Sequence, residues 1–587
     1  MDTYALDYET YYDKSCSIRT LGPLGYFSHP EFDAYMVSVV GDEGTSFVGH
    51  PKDFEWSKLK GQRVLSHNAS FDETLYLFGV EKGWWAHVDY AEWHCTADLS
   101  AYCGHPRALK KAAEDVLGVQ MDKSTRDNMS GKRWDNMTED FQKEVMEYAL
   151  KDSVYCLDLW NKLAPKWPEH EKQVSHMNRK IVQRGLPIDV KELKKQKDSI
   201  TEELFKVENT IPWINDAPIL SRTAFNDECR KMGLEPPASL AMTDEDANEW
   251  IRVNGTKYQW VHSVRNYRRI NALKRKLESF DFATLSDDRY YGGIMYFGAH
   301  TGRFSGSGGN LNLQNLPRGD LFGTNLRSLI APKPDKRLIV VDLSQIEVRT
   351  LCWLSQDEVT LDEIRRSDDI YEAFAVRFGL WDSSKGVLKD EDSALRHKVK
   401  TMVLGCGYGA SPTRFASMSG MDFEEAKDAV SLYQTQMQLV VKYWNLLYRG
   451  LRPAHDNFED YVINLPSGRV LNYGAVKSKI GDGRISFFSD SVVKGSKKMR
   501  MHLWGGLLAE NAASALARDI FVDIMLRLEA AGMDIIMHVH DEVVIEAKKE
   551  DAEEILAKVI DTMRTPPAWI PDIPLDAEGK ILERYEK

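Results

Sequence analysis

The stretch YALDYET alternates like a β-strand, so Asp7 and Glu9 leave the same face and one strand can offer two carboxylates to one cation. In RVLSHNASFDETL an apolar run passes through Asn68 into a helix that carries Asp72 near its first turn. In EVMEYALKDSVYCLDL, Tyr148 and Asp152 sit four apart on one helical face, which brings a phenol and a carboxylate to one cleft. Each piece alone reads equally as a solvated acidic face or ordinary acidity at a helix start. Their arrival in this order within one domain-sized segment is what points to chemistry. Four hard oxygen donors suit Mg²⁺ or Mn²⁺.

A second constellation lies further along. In RLIVVDLSQIEVRTL, four apolar residues, Leu338 to Val341, read as a buried strand ending on Asp342, whose carboxylate needs a partner if buried. MDIIMHVHDEVVIEA reads as two strands around a tip of His540, Asp541 and Glu542; if the strands are neighbours, Asp342 and Asp541 face each other. His538 and His540 lack a third nitrogen or sulfur ligand nearby, so zinc is not favoured there. Between these runs, LRHKVKTMVLGCGYGAS places Arg396, Lys400, Leu404 and Tyr408 every four residues along about 18 Å of helix. The two cations can neutralise phosphates, while Gly405, Gly407 and Gly409 allow close approach or end the helix. The polar, glycine-rich AHTGRFSGSGGNLNLQNLPRGD adds Arg303, Gln314, Asn315 and Arg318 as donors for phosphates, sugars or groove acceptors. RNYRRINALKRK is a basic stripe on an otherwise acidic chain. The tryptophans of GWWAHVDYAEWHC, Trp84, Trp85 and Trp93, read as packing rather than as a stacking platform for bases.

The elements that position these groups need a long chain. The 587 residues correspond to about four domains, and 43% hydrophobic content supports several cores. With 76 basic and 89 acidic residues the net charge of −13 argues against a surface coated overall in nucleic acid or anionic lipid, and leaves room for a local basic cleft. Seven scattered cysteines without CxxC spacing support neither a disulfide framework nor structural zinc, and fit a reducing compartment. Without a signal-like N-terminus or an apolar run of membrane length, the chain is expected to be soluble and cytoplasmic. Periodicity gives a mixed α/β segment over 1–165, polar helices over 166–290, a loop-rich and strand-like stretch over 291–350, helices again over 351–498, and a long helix, hairpin and last helix over 499–587.

The set DLSQIE, RHKVKTMVLGCGYG, TGRFSGSGGNLNLQNLP and HVHDE resembles, in order, the palm and fingers motifs of family A (DNA polymerase I-like) DNA polymerases, and the N-terminal set resembles tyrosine-bearing DEDD 3′–5′ exonucleases. The resemblance covers nearly the whole chain. It implies an RNase H-like exonuclease domain (1–165) followed by a right-hand polymerase with thumb (166–290), palm (291–350 and 499–587) and fingers (351–498), of phage type, without a 5′-nuclease domain. It further implies two metals on Asp7, Glu9, Asp72 and Asp152 with Tyr148 orienting water, and two Mg²⁺ on Asp342 and Asp541 with Glu542 beside them; Mn²⁺ can substitute. Arg396, Lys400, Leu404, Tyr408 and Gln345 would meet the incoming nucleotide, and Glu347 would exclude a ribose 2′-OH. Arg303, Gln314, Asn315, Arg318, His540 and Asn511 would hold the primer–template, with Glu510 an alternative to Asn511. Leu404 stands where most members carry Phe or Tyr, and Leu343 where Tyr is frequent. Implied partners are primer–template DNA, deoxynucleoside triphosphates, a replicative helicase and a single-strand binding protein, with the enzyme a monomer in the host cytoplasm. A single-subunit RNA polymerase and an inactive DNA-binding scaffold are the alternatives; Glu347 and the exonuclease-like segment argue against the first, two intact carboxylate sets against the second.

Overall fold

The computed structural model describes residues 1–121, 124–242, 244–284, 287–306, 311–481, 484–494 and 497–586; the SGGN of the glycine-rich motif, 307–310, lies outside the described residues. The N-terminal part is built on five strands, β1 (Thr3–Glu9), β2 (Met36–Gly41), β3 (Ser46–Gly49), β4 (Arg63–Ser66) and β5 (Glu92–Cys95), in the order β3-β2-β1-β4-β5. β1 is central, antiparallel to β2 and parallel to β4. Its alternation buries Tyr4, Leu6 and Tyr8 in an aromatic core with Trp56, Trp85 and Trp93, and leaves Asp7 and Glu9 half-buried on the opposite face. The tryptophans are therefore packing: Trp85 and Trp93 are buried, with their indole N–H groups donating to the Tyr76 carbonyl (2.9 Å) and the Ser66 hydroxyl (3.1 Å). Helix α1 (Ala69–Glu81) follows β4, and α2 (Glu139–Leu163) crosses the sheet. Thr138 caps α2 by accepting from Phe141 N, and Ser38 of β2 donates to the Ala149 carbonyl at 2.8 Å, fixing which face of α2 meets the sheet.

Helix α3 (Glu169–Arg184) is polar in sequence and falls in the stretch expected as the arm, yet it is wedged between the N-terminal sheet and the C-terminal core. Its polar residues are buried in pairs. Arg179 Nε donates to Glu73 Oε2 at 2.7 Å, and Glu171 accepts from Arg518, with Arg518 Nη2 to Oε2 at 2.9 Å and both side chains 1% exposed. Polarity there marks an interface. Beyond the Gly185 stop, α4 (Val190–Glu208), capped by Asp189, packs along α5 (Gln259–Ala283) through Leu193, Ile200, Ile270, Leu273 and Leu277, while Trp213, Phe225 and Trp260 form a separate core at the far end of this pair.

Strand β6 (Lys336–Leu343) buries Leu338 to Val341 as expected and passes through Gln345, held at φ 47°, into α6 (Ile346–Leu354). Helices α7 (Ile370–Arg377), α8 (Ser393–Cys406) and α9 (Gln438–Asp456) then share one core. The helical reading of 351–498 fails at its end. Residues 460–503 form a hairpin, Asp460–Asn464 with Val470–Ala475, and a three-stranded sheet, Lys477–Gly481, Arg484–Lys494 and Lys497–Leu503. Alternation such as Tyr461 and Ile463 inward against exposed Asp460, Val462 and Asn464 carries that β signal. The chain returns through α10 (Gly505–Ala530), β7 (Ile535–Val539), β8 (Glu542–Lys548), α11 (Ala552–Arg564) and β9 (Ala577–Leu582). β6 lies inside the sheet β7-β8-β6-β9, antiparallel to both neighbours. Among the described residues no helix is long and apolar enough to cross a membrane.

Candidate active sites

β6 and β8 run in register with Asp342 opposite Glu542, and the Leu343 amide donates to the Asp541 carbonyl at 3.0 Å. Val341 is the last residue of the apolar run, so the first carboxylate after it is Asp342, at the point where the strand leaves the core. His540 takes φ 58°, a left-handed position that closes the two-residue tip between β7 and β8. Asp342 and Asp541 are thus brought to the same end of the sheet. Glu542 differs from them: it is buried, and its Oε1 accepts from the Tyr585 phenol at 2.6 Å. His538 points into the core against Phe304 and Phe521, with Nε2 3.4 Å from Asn178 Oδ1; burial pushes its pKa down to about 3, so it is a neutral packing group.

Glu347, in the first turn of α6, accepts from Arg303, whose Nη2 lies 2.6 Å from Oε1. Several groups feel this pair. Partial desolvation and the Arg303 cation depress the His540 pKa, against Glu347, Asp342 and Glu542. Desolvation and the Glu347 charge raise that of Glu510, against Arg414 and Arg303. Burial, then Glu347 and Glu510, raise the Tyr408 phenol far above its ordinary value. Arg303, Glu347, Tyr408, Glu510 and His540 therefore lie near enough to Asp342 or to the Arg303–Glu347 pair to feel their charges. Asn511 is engaged elsewhere, its amide donating to the Tyr473 phenol at 2.9 Å, and Glu510 is the neighbour that feels the Glu347 and Arg303 charges. Gln314 is buried, whereas Asn315 and Arg318 are exposed on the same loop.

α8 is capped by Asp392, which accepts from Leu395 N at 2.8 Å, and ends at Cys406, so Tyr408 lies just past the helix on the glycine-rich turn. Arg396 is ion-paired with Asp369, and Arg396 and Lys400 lie over the Tyr371 ring at 5.2 and 5.7 Å. Leu404, on the same helix, is 49% exposed. Asp369, Tyr371 and Tyr585 in these roles escape sequence reasoning, whereas Glu510 stands there as the alternative to Asn511. The only local signal was the cap pattern of SDDIY, in which Asp369 starts α7.

At the N-terminal sheet, Asp7, Glu9, Asp72, Tyr148 and Asp152 come from β1, α1 and α2, and Asp72 Oδ1 accepts from Tyr8 N at 3.3 Å. Burial raises Asp7 well above the carboxylate range, reinforced by Glu9, Asp72 and Asp152 and opposed by Arg126, which sits on the helix Ser124–Met129. Glu9 is pushed up to about 8 by burial and then Asp152, and Asp72 to about 8 by burial. Tyr148 is raised by burial and the same carboxylates. The five groups occupy one acidic site. The donor set fits a hard divalent cation, which would relieve this crowding, although among the described residues no three His, Cys, Asp or Glu side chains close into a ready-made metal shell.

Residues 190–455 match the family model described as DNA polymerase family A. The match runs from α4 through α9 and includes Asp342, Glu347, Arg396 and Tyr408. Over this stretch, just under half of its length, the chain matches DNA polymerase family A. Over its full length the polymerase is 25% identical to the DNA polymerase of Bacillus phage SP02, with all of both chains covered. It is 24% identical to DNA polymerase I of Aquifex aeolicus over 93% of each chain. The thermostable DNA polymerase I of Thermus filiformis is 26% identical over 75% of this polymerase, which spans 51% of that enzyme. In fold, it superposes with a TM-score of 0.69 and 18% identity on the POL domain of Pol1 from M. smegmatis, solved with DNA primer-template and dNTP, covering 100% of this chain and 95% of that one.

Proposed function

We propose that this DNA polymerase extends primer 3′ ends at the Asp342–Asp541 cleft and removes misplaced 3′ nucleotides at the Asp7–Asp152 site. The observation that carries the reading is the convergence at one sheet end of Asp342 and Asp541, beside Arg303 and Glu347; Asp342, Arg303, Glu347 and the cations of α8 lie on the family-matched stretch, and the tip before β8 brings in Asp541. Two Mg²⁺ held by Asp342 and Asp541, and two more by Asp7, Glu9, Asp72 and Asp152, would activate the attacking oxygen and stabilise the leaving one. The residues supply the rest. Arg396 and Lys400 neutralise a triphosphate, Glu347 fills the space a ribose 2′-OH would need, and Tyr148 orients water at the nuclease site. Arg303, Asn315 and Arg318 hold the duplex backbone and grooves, and the basic stripe of α5 supports them from the arm.

Full-length likeness to a phage DNA polymerase supports a phage-type replication enzyme. From that likeness we extend the reading to a cytoplasmic monomer working beside a replicative helicase and a single-strand binding protein. The test is primer extension on a recessed template with Mg²⁺, comparing wild type with Asp541→Ala and Asp7→Ala. Asp541→Ala should shorten primers without extending them, and Asp7→Ala should extend without shortening. A wild type that degrades primers and never extends them with all four deoxynucleotides present would leave only a nuclease.

A further inference from the structure

We infer that Asp369 is a positioning residue for nucleotide binding, holding Arg396 side-on so that the free end of its guanidinium is presented to the triphosphate. The inference rests on reading α8 as the nucleotide-facing helix. Asp369 meets the Nε and Nη2 edge of Arg396, Oδ1 lying 3.2 Å from Nη2 and Oδ2 pairing with Nε, which leaves Nη1 outside the pair. A guanidinium has two forked edges, and the one used here is the side, so the end-on fork remains for a phosphate.

Asp369 is itself held firmly. Its Oδ1 accepts from Tyr371 N at 3.0 Å as the cap of α7, and its own amide donates to Ser367 Oγ at 3.2 Å. The pair is shielded, with the Arg396 and Asp369 side chains 27% and 14% exposed. The buried Tyr371 ring lies beneath both Arg396 and Lys400 and stops either cation from folding back onto α7. A long, flexible arginine is thereby ordered before the ligand arrives, which removes ordering entropy from the binding step. An acid placed as a competitor for phosphate would take the end-on fork instead.

Asp369→Asn separates charge from capping, because Asn caps helices as well as Asp but cannot form the ion pair. The experiment measures single-nucleotide incorporation (KM and kcat for dNTP), primer–template Kd and Tm, for Asp369→Asn in the wild-type and Arg396→Ala backgrounds. Asp369→Asn alone should raise the dNTP KM about five- to twentyfold, within the range that contacting residues show in double-mutant cycles, with primer–template Kd and Tm unmoved. In the Arg396→Ala background it should add less than about twofold. A lowered KM identifies a competitor and overturns the inference, as does an unchanged KM or an equal rise in both backgrounds. If Arg396→Ala itself leaves KM unchanged, the nucleotide reading of α8 fails as well. Should Asp369→Asn fold poorly, Asp369→Ser, which retains a capping hydroxyl, is read the same way.

Discussion

The Leu343 amide donates to the Asp541 carbonyl at 3.0 Å, and this backbone bond sets Asp541 beside Asp342 although all of the α7–α9 region separates them in sequence. Because main chain makes the junction, either side chain can be removed without untying it. Asp342→Ala and Asp541→Ala should each lower extension by at least about a hundredfold through loss of metal-held charge stabilisation, with Tm close to wild type. Primer extension and thermal melting check this; a collapse in Tm would mean the carboxylates hold the sheet together.

The crowded carboxylates beside β1 predict a pH dependence of stability. Glu9 and Asp72 are raised to about 8 from ordinary values near 4, so the native state retains protons that the unfolded chain has lost. Their contribution is fully present below the unfolded pKa and is lost as pH rises from about 4 to about 8. Metal-free protein should lose Tm across that window, and Mg²⁺ should restore it increasingly toward pH 8, since the ligands must be deprotonated to bind. Asp72→Asn should flatten the metal-free slope; a slope identical to wild type would exclude this cluster as its source.

The Glu171–Arg518 pair gives the opposite sign. Despite the cost of burial, Arg518 chiefly, with Arg469 and Tyr296, depresses Glu171 to about 2, so its contribution is present above the unfolded pKa and fades as pH falls from about 4.5 to about 2. Glu171→Ala leaves Arg518 buried without its main partner and should cost about 3–5 kcal/mol, measured by denaturant unfolding.

Leu404 is an aliphatic side chain, 49% exposed, which on the proposed reading would meet the incoming sugar in place of a ring. Leu404→Phe should alter the ratio of dideoxy- to deoxynucleotide incorporation by about fivefold or more, of the size expected when one apolar contact changes shape. Competitive single-nucleotide incorporation reads this, and a ratio equal to wild type would reject the assignment of Leu404 to the nucleotide.

Glu347 is held by Arg303 at 2.6 Å, which fixes its carboxylate in the cleft. Glu347→Ala should raise ribonucleotide incorporation by about tenfold or more, since it removes a steric and desolvation barrier against one hydroxyl. Running-start extension with ribonucleotides measures it. Equal exclusion by the variant would place the ribose gate elsewhere.

β1 and β6 are legible in the sequence because alternation and a four-residue apolar run are local signals, and both carry carboxylates of the proposed sites. The hairpin tip at Asp541 was legible for the same reason. What escaped was carried by distance. Asp369 and Arg396 are 27 residues apart, Tyr585 meets Glu542 from another strand's far side, and Arg518 finds Glu171 across the molecule. The polarity of α3 groups it with the helical arm because pairing across an interface leaves no periodic trace. Strands 460–503 do carry a local signal, Tyr461 and Ile463 alternating with exposed neighbours, which the helical reading of 351–498 passes over.

The position of β6 between β8 and β9 governs how the molecule comes into being. The five-stranded sheet has all its strands by residue 95, whereas β6 leaves the ribosome with both edges bare and must wait through α7–α9, the hairpin and the basic sheet before β8 and β9 are made. For that interval an apolar strand stands as an open template. Nascent chains stalled before β8 are therefore the species most prone to clump, and slowing translation across 351–534 is the condition that would expose them.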